Sequence, residues 1–567
     1  MARIEPQANI PTPGPPKAPF VPDRNAQPRF RWQIAALVVL VLGYVAHFRL
    51  LEARIQDDAF ISFRYARHLV QGQGLVWNIG EKVEGYTNFL WTLLAALPLA
   101  ISDKLSPLAW ARMLSSFSGY MTMVVTFLSM RHLLPKTHVF PLVPIALLAG
   151  SWPLAINTMT GLETVFFGAL LTSATFLLIR ELDDSKYRGS SLLYACAALT
   201  RPEAILLFVL VSTLVFGHRR NGGKPALRYA ARFFLPFVTL VGAHEIFRIA
   251  YYGEFVPNTY FVKFGAALPA GMPTRASYVG DFLTNGLDPV GITAVLVVFL
   301  AIFKGRELRL QILLLTAVFG LLNVALSGAD FMIGFRYLVP YAPAFYMAAT
   351  LGFEAFTERV RKGPSARHLE VGAFIVALLA SAHGYWYSRT KLQSFEQLRQ
   401  TVTRDSNSEL GKWLRDSLPK NTVVVARDIG EIGYLSDLPI VDMTGLTDRT
   451  IARKPGNVLD RALDVDDIFA RNPGVFVFVS KLPGPTIGLR RTAAFASTPS
   501  TLTLLDDPRF ADQFMFYTRF PNYERLRAAD DGRWLAVAPN TSQPGDFLNT
   551  YFLEVYLRKD VARGMQK

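Results

Sequence analysis

The sequence predicts a polytopic α-helical membrane protein of about eleven transmembrane helices, followed by a C-terminal extracytoplasmic α/β domain. Three observations carry this. The 567 residues are 51% hydrophobic and only 18% charged, where a soluble chain carries about a quarter. Uncharged runs recur from Trp32 to Tyr387. Residues 388–567 then return to a soluble composition. The single cysteine, Cys196, excludes an internal disulfide and four-cysteine zinc sites. The formal charge of +15 reads as loop bias, not as a nucleic-acid footprint.

Residues 1–31, with PTPGPPKAP at positions 11–19, read as a disordered cytoplasmic tail with no cleavable signal peptide. The first span runs from near Trp32 to near Leu51. Further runs lie at Leu114–Met130, Val139–Thr158, Thr164–Ile179, Ser190–Thr200, Ala204–Gly217, Phe233–Phe247, Pro289–Phe303, Leu310–Ala329, Tyr337–Phe353 and Val371–Tyr387. Asn88–Ile101 is apolar but short for a crossing, and parity decides its status. If it does not cross, the segments on the N-terminal side hold 21 Lys and Arg and the opposite loops hold 10. Counting it as a span would reverse every later loop, which the positive-inside rule rejects. The N-terminus is therefore expected in the cytoplasm and the region after Tyr387 outside. In that region Thr422–Ala426, Val475–Ser480 and Trp534–Ala538 read as buried strands. Gly430 and Gly433 lack the dinucleotide-binding spacing and read as turns between a strand and a helix.

This topology collects acids and bases on one face. The first outer loop, residues 52–107, opens with Asp57 and Asp58 before an amphipathic stretch from Ala59 to Val70. An Asp pair in this place is most simply a helix cap. However, Glu163, Arg201 with Glu203, Glu245, Lys263, and Asp330 with Arg336 fall at other outer turns against apolar helix ends. Together they suggest one cavity opening outward. Carboxylates there can deprotonate a hydroxyl or hold a divalent cation. Arg and Lys can bind a phosphate. A site with both at the lipid–water boundary suits a lipid-phosphate-linked sugar. No GxxxxGK[ST] or HExxH motif supports ATP-driven transport or a zinc protease.

The segment DDAFISFRYARHLVQGQGLVWNIGEKVEGYTNFLW resembles the first extracytoplasmic loop of the GT-C superfamily of membrane glycosyltransferases, which use polyprenyl-phosphate sugars. Within it, the pattern is most similar to bacterial proteins related to the terminal β-(1→2)-arabinofuranosyltransferases of the mycobacterial cell wall. The likeness extends to TGLET, LTRPEA, SGADFMIGFRYLVP and ARDIGEIGYLSDLPIVDMTGLTD, from about residue 50 to 450. The resemblance implies a GT-C-like transmembrane domain over 32–387, and Asp57 as general base with Asp58 beside it on acceptor hydroxyls. Glu163 matches the second acid; a divalent cation, if used, would fall to Asp58 and Glu163. Arg201, Lys263 and Arg336 are donor-phosphate candidates, from charge and side of the membrane. Tyr86 and Asn88, with Glu203 and Asp330, are sugar or acceptor candidates. The implied partners are a polyprenyl-phosphate-linked sugar, a glycan acceptor and the bilayer of a bacterial cytoplasmic membrane. The rival readings are a transporter or flippase of lipid-linked sugars, for which no clear inverted repeat is found, and a non-catalytic membrane protein whose outer domain recruits partners.

Overall fold

The computed structural model describes residues 26–51, 56–184, 186–222, 227–263, 274–287, 307–330, 332–360, 365–392, 406–457, 460–480, 498–520 and 552–565. Among these, six helices are long and apolar enough to cross a membrane. They are α1 (Ala26–Arg49), α4 (Pro107–Leu133), α7 (Thr164–Asp184), α10 (Leu227–Tyr252), α12 (Leu308–Ser327) and α14 (Ser365–Tyr387). The run expected at Val139–Thr158 is bent by 55° into α5 (Val143–Gly150) and α6 (Trp152–Met159), and gives a seventh if taken as one span.

The expectation of about eleven spans is therefore not met by the described helices, for local reasons. α8 (Ser190–Thr200) has 11 residues; at 1.5 Å per residue that is about 17 Å, against about 30 Å of hydrocarbon. Pro202 separates it from α9 (Glu203–Gly222). α13 (Ala342–Val360) starts only after a 3-10 turn at Val339–Tyr341 and carries Glu354 and Glu358 in its last turns. Pro289–Phe303 lies outside the described residues. Asn88–Ile101 yields a 13-residue helix, α3 (Phe89–Ile101), too short to span.

Among the described residues, the C-terminal region contains a five-stranded mixed sheet of order β2-β1-β3-β5-β4. β1 (Val423–Ala426) pairs in parallel with β2 (Ile440–Asp442) and β3 (Pro473–Ser480). β5 (Phe552–Arg558) runs antiparallel between β3 and β4 (Phe514–Phe520). The strand expected at Trp534–Ala538 lies outside the described residues. Side chains alternate across the sheet, so Val425, Phe476, Phe478 and Tyr556 share a core with Leu504 and Phe510. Val424, Ala426, Val475 and Val477 face the other way and share a core with Tyr65, Trp77, Tyr86 and Tyr252 from the membrane part.

α2 (Asp57–Val70) is the element that joins the two parts. Its Asp57 carboxylate accepts from the backbone amides of Gly430 and Glu431 at 2.9 and 2.8 Å. Two turns on, Arg64 is 2% exposed and donates to the carbonyls of Trp77, Gly433 and Leu438 at 3.0, 2.6 and 2.7 Å. Its guanidinium lies 4.4 Å from the Trp77 ring centroid. The glycines expected in turns instead lie in a helix, Gly430–Ser436, that packs on α2. A Cβ on Gly430 would stand 2.0 Å from the Asp57 carbonyl oxygen, and one on Gly433 2.7 Å from Trp77. Their absence of a side chain permits the contact.

Arg64→Ala leaves three carbonyls without their charged donor, and is expected to destabilise the docked domain by about 3 kcal/mol or more. Thermal unfolding in detergent, with proteolysis of the C-terminal region as a second readout, checks this; Arg64→Lys should recover only part, lacking the planar fork. Burial, assisted by the charge of Asp428, pushes the Asp57 carboxyl up to about 8, against the lowering effect of its amide donors. Its unfolded value is about 3.9. The native form thus holds its proton more tightly, and the contribution is full below about pH 4 and lost as pH rises through about 8. The melting temperature of wild type should fall across that window, and Asp57→Asn should flatten the dependence.

Candidate active site

α7 begins, α8 ends, α9 begins and α10 ends at the same side of the bundle, which brings their terminal polar residues together. With α2 and the loop after it they enclose a cavity of about 420 Å³. Its lining carboxylates are Asp58, Glu163, Glu203 and Glu245, and its lining cations are Arg201, Arg248, Lys263 and Arg336. Tyr86 and Asn88 contribute from the first loop, and Leu446 from the extramembrane domain.

Three of the four cations are already engaged. Arg336 contacts Asp58 at 3.2 Å and Asp330 at 2.5 Å. Burial alone would depress this guanidinium, but Asp330, Tyr337, Asp58 and Glu163 hold it well above its ordinary value. Arg201 contacts Glu203 at 2.7 Å and Glu163 at 3.5 Å; these carboxylates likewise outweigh its burial and raise it. Arg248 is paired with buried Glu84 at 2.7 Å and with Glu245. Burial raises the Glu84 carboxyl, and the Arg248 hydrogen bond offsets part of that. Lys263 is exposed and has no ion-pair partner among the described residues.

Asn88 orders the carboxylate side. Its Nδ2 donates to Glu163 at 2.9 Å, and its Oδ1 accepts from Ser62 and Thr92 at 3.0 and 3.2 Å. This leaves Glu163 oriented by an amide on one oxygen and by Arg201 on the other.

The structure thus brings Asp58, Glu163, Arg201, Glu203, Lys263, Arg336, Tyr86 and Asn88 to one cavity. Two expected residues are placed elsewhere. Asp330 is 4% exposed and sits behind Arg336, whose position it fixes. Asp57, expected as the general base, does not line the cavity; it faces the extramembrane domain with both oxygens engaged by backbone amides. Tyr86 is 3% exposed and its hydroxyl pairs with that of Tyr252, so it contributes packing more than a free polar group. Asp58 and Glu163, the expected cation ligands, are engaged by arginines and Asn88, and no cluster of three or more His, Cys, Asp or Glu is poised for a metal ion among the described residues. The expectations missed Arg248 and its buried partner Glu84. Their one signal was a charge three residues after Glu245 inside an otherwise apolar helix.

A family model described as a domain of unknown function (DUF8728) matches residues 393–537. The chain is 28% identical over 327 residues to a terminal β-(1→2)-arabinofuranosyltransferase of Corynebacterium glutamicum, covering 50% of this chain and 46% of that one. It is 30% identical over 222 residues to the protein of the same name from Mycobacterium tuberculosis, covering 37% and 35%. The matches thus span less than half the length of these relatives. Among solved structures, ArnT from Cupriavidus metallidurans bound to undecaprenyl phosphate aligns with a TM-score of 0.56 at 13% identity, over 81% of this chain and 95% of that chain. The Archaeoglobus fulgidus oligosaccharyltransferase, in complex with zinc and sulfate, aligns with a TM-score of 0.53 at 10% identity, over 92% and 88%. The chain therefore shares the polytopic membrane fold of ArnT and of this oligosaccharyltransferase, and part of it is similar in sequence to the two arabinofuranosyltransferases.

Proposed function

We propose that the protein is a glycosyltransferase that moves a sugar from a polyprenyl-phosphate donor to a glycan hydroxyl on the outer side of the cytoplasmic membrane. The observation that carries the reading is the cavity at one end of the bundle, where Asp58 and Glu163 stand among Arg201, Arg336 and Lys263, the last with no ion-pair partner among the described residues. Similarity to two arabinofuranosyltransferases supports arabinofuranose as the sugar. The likeness to ArnT, a protein solved with undecaprenyl phosphate, supports a polyprenyl carrier. The excess of Lys and Arg on the opposite loops supports an outward-facing cavity.

In this reading the lipid tail lies between helices and its phosphate meets Lys263, with Arg201 and Arg336 behind. Asp58 takes the proton of the acceptor hydroxyl as that oxygen bonds to the anomeric carbon. The bond from that carbon to the phosphate oxygen breaks, and its electron pair leaves with the lipid phosphate. The cations stabilise the charge that develops there. The transition state is oxocarbenium-like, the same demand that paired carboxylates meet in glycosidases. Glu163, held by Asn88 and Arg201, is placed to receive sugar hydroxyls.

The test is transfer of labelled arabinose from its polyprenyl phosphate to a short glycan by purified protein. Asp58→Asn should lower kcat by about a hundredfold or more, the usual scale of a lost general base, with donor binding retained. Asp57→Asn should act through stability, with a smaller effect on kcat in the fraction that stays folded. Equal transfer by wild type and Asp58→Asn would remove Asp58 as the base. Absence of transfer from any polyprenyl-phosphate sugar by folded wild type would overturn the reading.

A further inference from the structure

The segment that carries Lys263 is α11 (Asn258–Lys263), a helix of six residues. A helix this short does not hold itself in place. Both its ends are held by the extramembrane domain. At the start, the buried Asn258 amide donates to the carbonyls of Gly445 and Leu446 at 2.7 and 3.0 Å. At the end, Arg461 donates to the carbonyls of Phe261 and Val262 at 3.0 and 2.7 Å, while its other nitrogen holds Ala452 and Lys454 of its own domain. Arg461 is itself 5% exposed, and its bonds to Val262 and Ala452 are buried.

Held this way, α11 turns Thr259 and Lys263 into the cavity, one helical turn apart and therefore on one face. Thr259 is 4% exposed, yet its Oγ1 has no hydrogen-bond partner among the described residues. Buried hydroxyls are nearly always paired, so an orphan that lines a cavity points to a partner brought by a ligand. Lys263 repeats the pattern with charge, since it alone of the four lining cations has no carboxylate among the described residues.

We infer that Thr259 and Lys263 together form the subsite for the phosphate of a polyprenyl phosphate, and that the extramembrane domain sets its position through Arg461 and Asn258. This rests on the reading of the cavity as a lipid-phosphate site, and it gives the C-terminal region a role in the chemistry of the membrane part. The Thr259 hydroxyl donates to a phosphate oxygen, and Lys263 supplies the compensating charge. Arg461 and Asn258 touch no ligand; they are positioning residues that act through α11.

The experiment is binding of undecaprenyl phosphate, of undecaprenol and of inorganic phosphate to the full-length protein in detergent. Wild type should bind the phosphate lipid more tightly than the alcohol. Thr259→Val should weaken the phosphate lipid about tenfold, as for a lost hydrogen bond to a charged group, and leave undecaprenol unchanged. It should also leave the melting temperature unchanged or higher, because the hydroxyl it removes has no partner among the described residues. Thr259→Ser should restore binding. Lys263→Gln should weaken the phosphate lipid in the same selective way. Arg461→Gln should do so from outside the cavity, and adding it to Lys263→Gln should cost little more, the non-additivity of residues acting through one site. If wild type does not distinguish phosphate from alcohol, the lipid-phosphate reading itself fails. If wild type distinguishes them and Thr259→Val and Lys263→Gln distinguish them equally well, only this inference is overturned. Inorganic phosphate that saturates the subsite as tightly as the lipid would overturn the headgroup assignment in favour of a soluble anion.

Discussion

A buried guanidinium with no ion pair among the described residues is the constraint on which the arrangement depends. Arg64 keeps its charge away from water by giving its donors to three carbonyls and its face to Trp77. Desolvation lowers its pKa to about 9, still well above neutrality. The carbonyls belong to two separate parts of the chain, the first loop and the helix after β1 with the turn that follows it. Leaving any of them unpaired in the interior is costly, so the two parts are locked in one relative pose. That pose fixes the rotation of α2. Consecutive residues on a helix point about 100° apart, and with Arg64 turned to the domain, Asp57 meets the amides of Gly430 and Glu431 while Asp58 reaches the cavity and Arg336.

The cavity itself is close to charge balance, which is how so many ionised groups coexist beside lipid. Each arginine stands between two carboxylates, one deep and one lining the cavity in the case of Arg336 and Arg248. Such pairing offsets a desolvation penalty that isolated charges would not survive. It also holds the guanidinium planes still before any ligand arrives, the condition under which fixed charges stabilise developing charge well. Lys263 departs from the balance. A flexible, hydrated ammonium tolerates an open position better than a buried guanidinium does, and that position is where an incoming anion meets the least competition.

The sequence made the convergence of charges legible because the physics of a bilayer is simple. A charge against an apolar run must lie at its end, and the distribution of Lys and Arg says which ends share a side. That logic reached Glu163, Arg201, Lys263 and Arg336 without any knowledge of contacts. It could not separate Asp57 from Asp58, since their partners are hundreds of residues away and one helical step decides between them. The span count exceeded the helices long enough to cross because hydropathy registers apolar stretches, and both Ser190–Thr200 and Ala204–Gly217 are apolar although Pro202 interrupts them. Strand β5 was hidden for the opposite reason. Its Glu554 is fully buried, paired with Arg519 and accepting from Tyr556, so a charge marked as a surface position lies in the sheet's interior.

Composition divides the chain near residue 388, but packing does not divide it there. One face of the sheet is closed by Tyr65, Trp77, Tyr86 and Tyr252, all from the membrane part. Removing that part would expose a sheet face lined with Val424, Ala426, Val475, Val477 and Val555, an apolar surface of the kind soluble domains do not leave uncovered. Conversely, removing the sheet would strip α2 of the carbonyls and amides that engage Arg64 and Asp57, and α11 of the groups that engage Asn258, Phe261 and Val262, although α2 also packs on Trp91, Ala95 and Leu99 of the membrane part. The cavity has cations from the membrane helices on one side and elements held by the sheet on the other. Its geometry is therefore a property of the joint. A change at the back of the sheet that shifts Gly433, Leu446 or Arg461 has a route to Asp58 or Lys263 through the hydrogen bonds that these groups make to Arg64, Asn258 and Val262. A substitution of equal size on the lipid-facing side of α10 has no such route.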